Sequence, residues 1–135
     1  MTTSVETQKN VESVRGAYAD FNAGKIPEVL ALLDSKVQWT EPGGGKAPGG
    51  TFQGPESVGA DVFATVPANF DEFAAGAEDF RDDGDKVIVT GRFKGKAKGG
   101  ATLDAPFTHT WEMRDGKAVT FNNEVDTNGW IQAWS

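Results

Sequence analysis

"APFTHTWEMRDGKAVTFNNEVDT", residues 105–127, reads as two strands joined at Arg114-Asp115-Gly116. Asp-Gly between alternating apolar and polar residues is a strong hairpin signal. The register of this turn decides the interior of the fold, because a slip of one residue moves every side chain to the opposite face. Two registers are open. If Asp115-Gly116 alone forms the loop, Arg114 pairs with Lys117, and His109 and Trp111 share a face with Thr120, Asn122, Glu124 and Asp126. If Arg114-Asp115-Gly116 forms the loop, with Gly116 in a left-handed bulge, Met113 pairs with Lys117. His109 then joins Phe107, Trp111, Met113, Val119, Phe121, Asn123 and Val125. The second register separates an apolar face from a polar one, as burial of a single face requires, and it is preferred. It sets Asn123 diagonal to His109, about 7–8 Å away.

Working outward, "FDEFAAGAEDF" and "VIVTGRFKG", punctuated by "RDDGDK" and "KAKGG", extend the hairpin into an antiparallel meander. The N-terminal part is helical. Val11, Val14, Tyr18 and Phe21 form one stripe, with Thr3 and Glu6 as a capping box and Gly24 as a stop. "KIPEVLALLD" gives a short second helix with Pro27 in its first turn and Val29, Leu30, Leu32 and Leu33 along it. "KVQWTEP" alternates Val37, Trp39 and Glu41 to one side, as a strand does, and "PGGGKAPGG" reads as an irregular, flexible loop. A third helix starts near Pro55, carries Val58, Val62, Phe63 and Val66, and is expected to end at Pro67. In "NGWIQAWS", Trp130 and Trp134 would share one helical face. Helices first and strands second indicate an α+β fold, with the helices on one face of a curved antiparallel sheet.

The 135 residues suit one domain, 1–135, able to bury a core without disulfides. A formal charge of −7 argues against nucleic acid as a partner. With no cysteine and one histidine there is no zinc-type cluster, and neither metal nor cofactor is expected. The N-terminus lacks a basic segment followed by an apolar run, and no stretch reaches membrane-spanning length, so a cytoplasmic protein that does not engage membranes is expected. "PGGGKAPGG" lacks the Gly-Lys-Ser/Thr ending of a phosphate loop and is read as a lid at a cavity mouth or a plain connection.

"YADFNAGKIPEVLALLDSKVQWTEPGG", "DGDKVIVTGRFKG" and "APFTHTWEMRDGKAVTFNNEVDT" together resemble SnoaL-like proteins of the nuclear-transport-factor-like superfamily, which also contains the ketosteroid isomerases, scytalone dehydratase and limonene epoxide hydrolase. The resemblance implies a cone-shaped α+β barrel, a bent sheet under three helices around a hydrophobic cavity, and a homodimer through the outer sheet face. It does not fix a reaction, because the fold hosts enzymes and binding domains alike. In the isomerases, the strand resembling "WTEP" presents the general base, at the position of Glu41. The hydrogen-bonding acid of the isomerases falls at or next to His109, whereas their first-helix tyrosine aligns with Ala17 and not Tyr18. That leaves the oxyanion hole incomplete. Polyketide cyclases pair a histidine with a carboxylate on the last two long strands. His109 matches the histidine, but Asn123 faces it, so an acidic partner there would require Asp126 to turn inward.

The candidate catalytic residues are therefore His109, Glu41 and Asp126. Tyr18, Trp39, Phe63, Phe93, Trp111, Phe121 and Asn123 are expected to line the ligand site. The expected partner is a small, apolar, cyclic carbonyl compound, undergoing cofactor-free proton transfer of the isomerase, cyclase or dehydratase type. Noncatalytic ligand binding, or a dimeric interaction domain with a vestigial cavity, is the alternative. A pocket of roughly a few hundred Å³ lined by His109 and Glu41 would support the first two, and a filled interior the third.

Overall fold

The computed structural model describes the backbone of residues 2–134 and side chains from residue 8 onward. The side chains of the Thr3–Glu6 capping pair are not among those described. Helix α1 (Thr2–Asn22) buries Val14, Ala17 and Tyr18 and half-buries Val11 and Phe21. Its end is pinned to the sheet by the Asn22 side chain, which donates to Ala75 O (3.0 Å) and accepts from Ala75 N (2.9 Å).

Helix α2 (Ile26–Leu32) carries Pro27 in its first turn, where the missing N–H is not needed. Leu33, expected in this helix, instead begins β1 (Leu33–Pro42), where it pairs with Ala118 and is buried on the side that also takes Val37, Trp39 and Glu41. The glycine-rich stretch is only partly a loop. Residues 49–53 form β2 (Gly49–Gln53), antiparallel to β1 with Glu41 opposite Gly50. A Cβ at Gly49 would come within 2.8 Å of Gly43 Cα, so the glycines allow two backbones to approach closely where irregular structure was expected.

The third helical segment is α3 (Pro55–Ser57), a π-helical turn (Val58–Phe63) and α4 (Thr65–Asn69). It buries Val58, Val62 and Phe63 as the stripe predicts. Pro67 does not end it. The proline sits in the first turn of α4, where no N–H is called for, and the helix continues to Asn69.

The strands β3 (Phe70–Asp83), β4 (Lys86–Ala97), β5 (Thr102–Arg114) and β6 (Lys117–Val125) complete a six-stranded curved sheet of order β2-β1-β6-β5-β4-β3. The meander is antiparallel as expected, but β6 pairs with β1 in parallel, so the sheet is mixed. β6, the last strand, closes the meander against β1. The sheet does not close into a barrel, and β2 and β3 are its edges.

The decisive hairpin combines the two registers. Arg114 pairs with Lys117 across a two-residue loop in which Asp115 (φ 53°) and Gly116 (φ 77°) are both left-handed, the geometry that matches strand twist. A bulge follows at once: Met113 faces Ala118 and Glu112 faces Thr120, leaving Val119 as the extra residue. The turn is thus the tight one, and the bulge restores the apolar face. Ala118 is buried where Val119 was expected, and Asn123 lies directly opposite His109, not diagonal to it. Helix α5 (Thr127–Ala133) closes the chain over β5, with Trp130 and Trp134 both buried as their spacing predicts. Among the described residues no helix is long and apolar enough to cross a membrane.

Candidate active site: a buried polar chain in an aromatic pocket

Three neighbouring strands each place one polar side chain on the inner face. His109 stands on β5, Asn123 opposite it on β6, and Glu41 on β1 next to β6. Helix α1 lowers Tyr18 onto the same face. These four residues, with Trp39 and Trp111, are each no more than 8 % exposed. Strand alternation explains the grouping: Trp39 and Glu41, His109 and Trp111, Phe121 and Asn123 are each two residues apart and point the same way.

The polar atoms form one connected chain. Trp111 Nε1 donates to the Tyr18 hydroxyl (3.0 Å), and that hydroxyl lies 2.5 Å from His109 Nδ1. His109 Nε2 lies 2.9 Å from Asn123 Oδ1, and Asn123 Nδ2 donates to Glu41 Oε1 (3.1 Å). Trp39 Nε1 donates to the other oxygen, Glu41 Oε2 (2.6 Å). An ionised Glu41 only accepts, so the amide of Asn123 must turn its NH2 towards Glu41 and its oxygen towards His109. His109 Nε2 must then carry the proton, Nδ1 must accept, and Tyr18 must donate to it. One direction of donation satisfies every member, and the carboxylate of Glu41 sets it.

Burial shifts the titrating groups in the directions their charges require. Desolvation pushes the Glu41 carboxyl up from 4.5 to about 7, partly offset by the hydrogen bonds from Asn123 and Trp39. It pushes His109 down from 6.5 to about 3 despite its bond to Asn123, and it raises Tyr18 well above the phenol range. At neutral pH His109 is uncharged. Glu41 is the group poised to exchange a proton.

These residues line a pocket of about 70 Å³, small beside the ~300–1,000 Å³ of typical ligand sites. Tyr18, Trp39, Phe63, Phe93, Trp111, Phe121 and Asn123 all lie on its wall, with Glu41 and His109. Asp126 does not join them. It is exposed and caps α5, its carboxylate accepting from Asn128 N (3.1 Å), so it cannot serve as the acidic partner of His109. His109 itself has both ring nitrogens engaged, by Tyr18 and Asn123, and so has no N–H to offer an enolate in this arrangement. Tyr18, one residue from the position aligned with the isomerase tyrosine, nonetheless turns inward, but its hydroxyl is committed to His109.

The sequence reading missed the pocket's other wall, which includes Phe21, Phe73, Pro48, Trp130 and Trp134. The paired spacing of Trp130 and Trp134 was the available signal, because an apolar helical face at a chain end has to be buried against something. The glycine-rich segment holds this wall in place. Trp130 Nε1 donates to Gly43 O (3.1 Å) and Lys46 N donates to Trp134 O (2.7 Å), so the loop is docked on α5. Among the described residues no cluster of three or more His, Cys, Asp or Glu could hold a metal ion.

The SnoaL-like domain profile matches residues 14–121. An NTF2-like protein of unknown function from Burkholderia pseudomallei is similar over 94 % of this chain and 98 % of its own, with 32 % identity and a TM-score of 0.87. Bal32a, from a soil-derived mobile gene cassette, shares 26 % identity over 96 % of this chain and 99 % of its own, with a TM-score of 0.87. TerC, co-crystallised with polyporic acid, shares 29 % identity over 93 % and 98 %, with a TM-score of 0.84. No curated protein matches the chain in sequence.

Proposed function

The chain belongs to the SnoaL-like domain family, and from that premise we propose that its aromatic pocket binds a small, apolar, cyclic carbonyl compound and that Glu41 moves a proton on it without a cofactor. One observation carries this reading: a carboxyl group buried on the pocket wall among aromatic rings, held by Trp39 and Asn123, where desolvation pushes it up to about 7. A general base works best when its pKa lies near the working pH, and removing such a group typically lowers turnover 10²–10⁴-fold. Trp39 and Asn123 act as positioning residues. Each holds one carboxylate oxygen, which leaves further lone pairs to take a proton from the ligand. The co-crystallisation of TerC with polyporic acid supports a small-molecule occupant.

Deuterium exchange at the carbon next to the carbonyl of 1-indanone, followed by NMR in D2O, tests this directly. The wild-type protein is expected to accelerate exchange, and Glu41→Gln to remove that acceleration while still binding the ketone. Binding with no acceleration by the wild type would sink the catalytic step. A noncatalytic binding module would then stand, a reading favoured by the fact that His109 and Tyr18 already satisfy each other.

A further inference from the structure

A ligand carbonyl buried in this pocket needs a hydrogen-bond donor, because a polar oxygen moved out of water without one is strongly disfavoured. The donors around the pocket can be counted. Of the four tryptophans, Trp39 donates to Glu41, Trp111 to Tyr18, and Trp130 to Gly43 O. Tyr18 and His109 donate along the polar chain, and Asn123 uses one of its two N–H groups on Glu41. Thr65 Oγ1 donates to Val62 O.

The fourth tryptophan differs. Trp134 is 2 % exposed and lines the pocket, yet its Nε1 has no partner among the described residues. Native proteins rarely leave a buried donor unpaired, and one that is left so calls for an explanation. Looseness of the chain end is not that explanation. The backbone of Trp134 is held on both sides, by its N–H to Trp130 O (3.2 Å) and by Lys46 N to its own carbonyl (2.7 Å). Its ring is wedged edge-on against Phe70, with centroids 4.9 Å apart.

We propose that the indole N–H of Trp134 is the donor that recognises the carbonyl oxygen of the pocket's ligand. This rests on the ligand-binding reading above and deepens it by dividing the work. Glu41 removes the proton, while the N–H of Trp134, with the second N–H of Asn123 as the other uncommitted donor, faces the oxygen on which negative charge develops. Such a donor discriminates strongly, because a ligand without the oxygen leaves the N–H unpaired. It also accounts for the loop 43–48, which fixes the tryptophan in position before any ligand arrives.

The test compares 1-indanone with indane, the same skeleton without oxygen, by calorimetric titration into wild type and Trp134→Phe, together with the indole N–H signals in 15N-labelled wild type. The expected result is that the wild type prefers the ketone by about tenfold, the size of one neutral hydrogen bond. Trp134→Phe should lose that preference while keeping its affinity for indane. In the wild type the Trp134 indole proton should move downfield with 1-indanone and not with indane, a readout that stands even if the variant folds poorly. If both compounds bind the wild type and the ketone preference survives Trp134→Phe, or the indole signal does not respond, the assignment to Trp134 is overturned and the pocket reading stands. If neither compound binds the wild type, both readings fall.

Discussion

The two ends of the buried polar chain differ in what burial does to them. At the β5 end, His109 is packed against Phe107 with ring centroids 3.9 Å apart, and desolvation holds it neutral far below neutral pH. At the β1 end, desolvation brings Glu41 to about 7. The same physical cause silences one group and tunes the other, because a histidine starts near neutrality and is driven away from it, whereas a carboxyl starts acidic and is driven towards it. A lone histidine in a pocket is the more conspicuous feature of the sequence. The carboxyl is the better proton carrier, and His109 acts on the pocket through Tyr18 and Asn123.

The largest effect that could break this comparison is on turnover. Glu41→Gln should lower proton exchange on 1-indanone by about 10²–10⁴-fold, the range for a positioned base. His109→Gln, which keeps a polar side chain between Tyr18 and Asn123, should lower it by no more than about tenfold, since both nitrogens of His109 are engaged by Tyr18 and Asn123. If the two losses prove equal in the same exchange assay, the division between working and supporting ends is wrong.

His109→Ala should show itself in stability. It strands the Tyr18 hydroxyl and Asn123 Oδ1, each buried, at about 1–3 kcal/mol apiece, and it also leaves a hole beside Phe107. A loss of about 3 kcal/mol or more in urea unfolding is expected, with the slope unchanged. A loss under about 1 kcal/mol would mean that the chain does not hold this face together.

The pH dependence of stability separates the two ends further. Because Glu41 is raised from 4.5 to about 7, the folded state holds its proton more tightly. Its contribution is full below pH 4.5, declines as pH rises towards 7 and is then gone. At about 1.4 kcal/mol per pH unit, that is about 3 kcal/mol. His109 runs the other way: lowered from 6.5 to about 3, it destabilises the fold progressively as pH falls from 6.5 to 3. Between pH 4.5 and 6.5 the two slopes oppose, so these groups together leave a plateau. Glu41→Gln should turn that plateau into a rise with pH in thermal melts between pH 4.5 and 6.5. A plateau that survives the substitution would show that Glu41 titrates normally.

Much of this arrangement was legible in the sequence, and the parts that were not share a cause. Alternation in "KVQWTEP" put Trp39 and Glu41 on one face of their strand, and the hairpin put His109, Trp111, Phe121 and Asn123 on one face of theirs; in the sheet the two faces are the same. Both are local periodicities. The hairpin reading reached the right face with the wrong turn, because a bulge after a tight loop shifts the pairing by one residue in the opposite direction to a three-residue loop, and either shift brings the same side chains to the inner face. Leu33, β2 and the parallel pairing of β1 with β6 depend on contacts between distant segments that no local pattern encodes. Asp126 was offered an inward turn by its position after the last strand. Its real task, capping α5, follows from a helix that starts one residue later.

The smallest effect in energy is the sharpest test of how the two ends communicate. With Glu41 ionised, donation runs from Tyr18 through His109 and Asn123 to the carboxylate, and His109 carries its proton on Nε2. In Glu41→Gln a single carbonyl oxygen cannot occupy both former carboxylate positions. If that oxygen keeps the Trp39 N–H, the new amide NH2 meets Asn123, which must flip to accept from it. Asn123 then presents its NH2 to His109 Nε2, so the imidazole proton must move to Nδ1 and donate to the Tyr18 oxygen. The whole chain reverses with each pair still bonded, but the Tyr18 hydroxyl then accepts from both Trp111 and His109 and its own O–H loses its acceptor. The 15N shifts of the imidazole nitrogens report the tautomer: wild type should show a protonated Nε2 at pH 8, and Glu41→Gln a protonated Nδ1. An unchanged tautomer would mean that the substituted amide gives up its bond with Trp39 instead, and that Glu41 does not set the protonation of a histidine two strands away.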